Sequence, residues 1–155
     1  MSQAPAVFDL NRLADFVGRE ASSTWTDVPQ DVITRFADLT GDRQWIHVDP
    51  GRARAEAPAG TTIAHGFLTL ALVSRLLREA IHFEGGPRVA LNFGLNRVRF
   101  PAPLPAGSRV RGRFTLVRVD AVGDGASQAT WSAVVEREGS DKPCCVAEWL
   151  VRYYP

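Results

Sequence analysis

The sequence predicts an α+β fold in which a long antiparallel sheet wraps around a central apolar helix. Three observations lead there. Helical periodicity is confined to the first half of the chain, and everything after Gly86 reads as strand. The helix closing that half, Gly66 to Ile81, is apolar on nearly all sides until Arg75, the pattern of a fully buried helix. The 155 residues suit one domain with a real core, and no linker, repeat or low-complexity stretch divides them. Residues 1–155 are therefore expected to form a single domain. A lone buried helix ahead of a long sheet is covered by curling the sheet about it.

Each element has its own signal. Phe8 to Arg19 places Leu10, Leu13, Phe16 and Val17 at helical spacing. Thr24 to Val28 reads as a short strand. Pro29 opens a helix with Val32, Ile33, Phe36 and Leu39 on one face, ended by Thr40-Gly41. Arg52 to Glu56 suits a short helix before Pro58, and Gly60-Thr61-Thr62 a flexible or tight stretch. After Gly86, residues Val89, Leu91, Phe93 and Leu95 alternate, and the register shifts at Val98 and Phe100, as at a bulge. Pro101 to Gly107 is a turn. Val110, Phe114 and Leu116 alternate with polar neighbours, and Gly123-Asp124-Gly125 marks a hairpin. Two further strands follow, Ala126 to Arg137 and Pro143 to Tyr153. An open sheet of this kind leaves edges and a surface for a partner.

Composition narrows the function. Net charge is +1, so no electrostatic footprint for nucleic acid is present. Met1 to Asp15 lacks a basic start followed by an apolar core, so no signal peptide is expected. The longest apolar run, Gly66 to Val73, is far short of the roughly 20 residues needed to cross a bilayer, so no membrane role is expected. Cys144 and Cys145 are adjacent and cannot staple distant segments, which reads as a reduced, cytoplasmic protein. Arg97, Arg99, Arg111 and Arg113 alternate with apolar neighbours, as on a solvated sheet face.

The most informative stretch is Gly41-Asp42-Arg43-Gln44-Trp45-Ile46-His47-Val48-Asp49-Pro50, followed by Ile63-Ala64-His65-Gly66. An acid and a histidine stand five residues apart at the end of one helix. A glycine then opens another, whose first backbone N–H groups have no intrahelical acceptor. A proton-handling pair beside free backbone donors is what chemistry next to a carbonyl needs. Taken singly, Asp42 suits a helix-ending turn and His47 a packed ring. Their joint spacing ahead of Ala64-His65-Gly66 favours catalysis. His65 suits a loop-shaping hydrogen bond, and Trp45 the core or a pocket wall. Asp42, His47, Asp49 and His65 also make a conceivable metal set. Asp49-Pro50 reads better as a turn or helix start, so no metal is assigned. With no GxGxxG and no GxxxxGK[ST], no cofactor is assigned either.

The pattern Phe36-x-x-x-Thr40-Gly41-Asp42-x-x-x-x-His47-x-Asp49-Pro50, then Ile63-Ala64-His65-Gly66 and Ser74, resembles the MaoC-like dehydratases. That family includes the (R)-specific enoyl-CoA hydratases of the hot-dog fold. Phe100-Pro101-x-Pro103-x-x-x-Gly107-x-x-Val110 is similar to the family's strand-turn-strand element. The loop Gln44-Trp45-Ile46-His47 is closest to the branch named after nodulation protein N; the wider family usually has Asn-Pro in place of Gln44-Trp45. The resemblance implies a hot-dog domain, usually a homodimer, acting on an acyl thioester of coenzyme A or acyl carrier protein. It makes Asp42 and His47 the catalytic pair and the Gly66 amide the oxyanion donor. Ser74 aligns with a serine near the active site in some members. The implied reaction is (R)-specific hydration of trans-2-enoyl-CoA or its reverse. A hot-dog thioesterase and a non-catalytic acyl-binding subunit are the alternatives.

Overall fold

The computed structural model describes residues 4–155; Met1–Gln3, which begin both the expected domain and the segment read for a leader, lie outside the described residues. Four long or paired segments build one antiparallel sheet around β6 (Ser108–Ala121), β7 (Ser127–Arg137), β8 (Cys145–Tyr154) and β5 (Val89–Arg99). Its order is β2–β6–β7–β8–β5, and β2 (Glu20–Ser22) and β3 (Thr26–Val28) share the free side of β6. The helix α4 (Gly66–Ala80) packs against β2, β6, β7 and β8, which makes the wrapped-helix, hot-dog arrangement the sequence predicts. A separate parallel pair, β1 (Ala6–Asp9) with β4 (Ile81–Glu84), closes one end of the core.

The core forms where α4 meets the sheet. Leu68, Val73, Leu76 and Leu77 are buried with Val110, Phe114, Leu116 and Trp131. Fully burying each such side chain contributes roughly 1.5–3 kcal/mol. At Gly112 the Phe114 ring of the same strand and Leu76 of α4 both crowd the backbone: an added Cβ would stand 2.5 Å from the Phe114 ring and 2.9 Å from Leu76 Cβ. Only glycine fits there. Its amide and carbonyl are both used, at 2.9 Å to Ser23 Oγ and at 2.8 Å from the Ser23 amide.

Several expectations are corrected. The helix expected over Phe8 to Arg19 is β1 followed by 3-10 turns over Leu10–Phe16, broken at Arg12. The spacing of three between Leu10, Leu13 and Phe16 suits the tighter winding. The strand expected from Thr24 starts at Thr26, with β2 preceding it. Helix α1 (Gln30–Thr40) ends as predicted at Gly41, whose φ of 79° glycine adopts freely. Val32, Ile33 and Phe36 of its expected face pack on the core, but Leu39 is 84% exposed and Ala37 takes the inward place. Trp45–Val48 forms a short helix, α2, and Pro50–Glu56 a longer one than expected, α3, because Asp49 accepts from the Arg52 amide at 2.9 Å and caps it.

The bulges of β5 fall at Phe93 and Asn96, not at Val98 and Phe100. Val89, Leu91, Phe93 and Leu95 are exposed rather than turned into the core. Helix α4 ends at Ala80 and is not covered all round: Phe67 is 74% exposed. The β6–β7 hairpin turns where expected, with positive φ at Gly123, Asp124 and Gly125. Arg111 and Arg113 reach across it to Glu136 at 2.7 and 3.0 Å, the sheet-face role expected of them. Among the described residues no helix is long and apolar enough to cross a membrane.

Candidate active site

Asp42, His47 and His65 come together, their side-chain ligand atoms lying within 4.8 Å of one another. Each arrives from a different element. Asp42 leaves α1 through the left-handed turn at Gly41, whose amide bonds Ala37 O at 2.9 Å. His47 ends α2 and is 8% exposed. His65 precedes the first turn of α4 and is 3% exposed. Asp42 itself is exposed, so the pair has a wet side and a dry side.

The hydrogen bonds fix the ring tautomers. His47 Nδ1 lies 2.7 Å from Ile63 O, and a carbonyl only accepts, so Nδ1 is the donor. Its Nε2 keeps a lone pair. His65 Nε2 likewise donates to Asp42 O at 2.9 Å, which ties the acid's backbone to the start of α4. This is the loop-shaping role expected of His65. Its Nδ1 is buried without a partner, between the His47 ring and Phe36, whose ring centroid is 5.0 Å away. The two imidazoles stack, with centroids 3.8 Å apart and planes 26° from parallel. Their in-plane lone pairs therefore lie in separate planes. A shared ion needs ligand lone pairs converging at about 2 Å. The geometry suits a hydrogen-bonded water better, and Asp49 is engaged in capping α3.

A ladder of backbone bonds holds these segments. Ile63 N–H donates to Ile46 O at 3.1 Å, Ala64 N–H to Leu104 O at 2.7 Å, Ala106 N–H to Thr62 O at 2.9 Å and Gly107 N–H to Val28 O at 2.9 Å. Gln30 is a member that sequence reasoning missed. Its Nε2 donates to His47 O at 2.8 Å, and its Oε1 accepts from the hydroxyl of fully buried Thr62. The stretch Gly60-Thr61-Thr62 is thus tight rather than flexible.

The first intrahelical bond of α4 runs from Thr69 N–H to His65 O, so the Gly66 amide precedes it. Beyond Gly66 a groove of about 400 Å³ follows the open side of α4 past Phe67, Leu70 and Ser74 towards Phe93, Leu95 and Trp149. It continues into a mostly apolar pocket of about 250 Å³ bounded by Leu77, Phe83 and Tyr153. Ser74, Asn92 and Trp149 line both. Asn92 went unnoticed, since a lone asparagine in a strand pattern gives no signal. Trp45 is half-buried under the Arg52 guanidinium, 4.4 Å above its ring, away from the residues that line the groove.

A hot-dog domain whose Asp/His pair converges beside the start of α4, with an apolar groove along the open side of that helix, defines a class, and comparison with known proteins agrees with it. The model of the MaoC like domain matches residues 13–138, and the chain belongs to that family. It is 57% identical over 131 residues to 3-hydroxyacyl-thioester dehydratase Z of Mycobacterium tuberculosis, covering 84% of this chain and 85% of that one. It is 45% identical over 140 residues to nodulation protein N of Rhizobium leguminosarum bv. viciae, covering 86% and 84%. The fold matches the MaoC-like dehydratase from Rhodospirillum rubrum with a TM-score of 0.77 at 21% identity, over 95% of this chain and 97% of that one. It matches the (R)-hydratase from A. caviae with a TM-score of 0.69 at 24% identity, over 90% and 96%.

Proposed function

We propose that the protein catalyses (R)-specific hydration of trans-2-enoyl thioesters and the reverse dehydration of (R)-3-hydroxyacyl thioesters. The observation that carries this is the convergence of Asp42 and His47 at the start of α4, with the His47 lone pair left free by the Ile63 carbonyl. One water is held between the Asp42 carboxylate and His47 Nε2. Its oxygen adds to C3, the pair removes one proton from it, and one proton returns to C2. Charge developing on the thioester oxygen is met by the Gly66 N–H, reinforced by the dipole of α4. Acid-base assistance of this kind contributes about 10²–10⁴-fold and one oxyanion donor about 10²–10³-fold. The acyl chain runs along α4 towards Ser74, about 12 Å from Gly66 at 1.5 Å per residue. The 57% identical dehydratase supports the thioester substrate.

A homodimer and a single domain over residues 1–155 belong to the same reading. Strand β5 is the sheet edge, and Leu91, Phe93 and Leu95 on it are exposed next to Phe67. Pairing two copies there covers apolar surface and unpaired backbone groups, and closes the groove. The deciding measurement is loss of enoyl absorbance with enoyl-CoAs of graded length, with chiral analysis of the product. Formation of the (R)-3-hydroxyacyl thioester is expected. Release of free CoA instead would make the protein a thioesterase, and a mainly (S) product would refute the facial assignment.

A further inference from the structure

We propose that Phe100 is a specificity-determining residue of this site: its ring roofs the first turn of α4 and excludes thioesters branched at C2. The inference rests on the hydratase reading above. The three atoms nearest a Cβ added to Gly66 would all be ring carbons of Phe100, two at 3.2 Å and one at 3.3 Å. The glycine therefore makes room for a ring of this chain, beside the amide that faces the thioester oxygen. Phe100 is 42% exposed, so the core does not dictate its place. Its neighbour across the helix start is Phe67, 74% exposed, meeting it edge-on at 6.5 Å and 77°.

The ring is held from behind. Pro101 restricts the backbone of Phe100 to extended conformations. The turn that follows is tied by Ala64 N–H to Leu104 O, two residues before Gly66. The segment that carries Phe100 is thus joined by backbone to the loop that ends at Gly66. With the thioester oxygen on the Gly66 amide, C2 is one bond beyond the carbonyl carbon, and the aromatic wall limits its width. A straight enoyl group passes under the ring. A methyl on C2 meets it.

The test compares wild type, Phe100→Ala, Phe100→Leu, Gly66→Ala and the Gly66→Ala/Phe100→Ala double variant, on crotonyl-CoA and its 2-methyl analogue. One methyl group in an apolar pocket changes kcat/KM by roughly 10–200-fold. Removing the ring should raise the branched-to-straight kcat/KM ratio at least about tenfold, with Phe100→Leu in between. Gly66→Ala should lose at least about tenfold on crotonyl-CoA, as expected of a displaced site, and regain most of it in the double variant. An unchanged ratio in folded Phe100→Ala and Phe100→Leu overturns the specificity role. Additive losses in the double variant overturn the contact. If wild type does not turn over crotonyl-CoA, the same comparison is made with the shortest straight enoyl-CoA of the graded series that it accepts and its 2-methyl analogue; no turnover of any of the series overturns the hydratase reading itself, an outcome distinct from the other two.

Discussion

In the proposed mechanism Asp42 and His47 grip the same water, so neither can be spared. Asp42→Asn and His47→Gln should each lower kcat by at least about 10²-fold while the melting temperature hardly moves, because Asp42 is exposed and glutamine can still reach Ile63 O. The double variant should cost little more than the worse single one. Near-normal turnover in either single variant would end the assignment. Gln30 acts at one remove. Gln30→Leu keeps the volume but leaves the buried Thr62 hydroxyl and the His47 carbonyl unmatched, which should cost about 1–3 kcal/mol in urea unfolding. The acid and histidine were legible because they flank a single turn. Gln30 was not, since its partners lie 17 and 32 positions away. Trp45, half-buried, carries Arg52 over its ring, a contact that the local pattern did not announce.

At the scale of elements, β6 passes α4 with no room for a side chain at Gly112. Gly112→Ala should destabilise by about 1–3 kcal/mol through overpacking, seen as a lower urea midpoint with an unchanged slope. A midpoint equal to wild type would mean that Phe114 moves aside freely. Burial likewise shapes β8: it pushes the Cys145 thiol up to about 11, and the Cys144 thiol upward. A raised folded-state pKa means stability present below the unfolded thiol's value, near 9.0, and lost as pH rises from there towards about 11. Both thiols should resist an aromatic disulfide reagent at pH 8 until the chain is unfolded. The long strands and α4 were readable from local alternation and apolar runs. The β1–β4 pair was not, because parallel strands separated by the whole stretch from Leu10 to Ala80 leave no local trace. The bulges were displaced because alternation records side-chain chemistry, not hydrogen-bond register.

For the whole molecule, β5 is the informative strand. Val89, Leu91, Phe93 and Leu95 alternate as a core-facing strand does, yet they stand at the free edge. In the proposed homodimer the surface that covers them belongs to the second copy, which a sequence pattern does not distinguish from the chain's own core. Leu91 is exposed within one chain, so Leu91→Lys should leave the melting transition of the single chain in place. It should shift light scattering at micromolar concentration from dimer to monomer and lower activity by opening the groove. A wild type that scatters as a monomer would remove the interface.

The backbone ladder joining Ile46, Ile63, Ala64, Leu104 and Ala106 has a consequence for how the chain acquires its activity. Asp42, His47, His65 and Gly66 are all synthesised before Leu104, but the carbonyl that pins Ala64 is not yet there. A nascent or truncated chain carrying every reacting group would thus hold them without alignment. Competence arrives with closure of a long loop, an entropically slow event. In refolding, recovery of turnover should lag the recovery of helical circular dichroism. The amides of Ala64 and Ala106 should then exchange with solvent only when the whole domain opens.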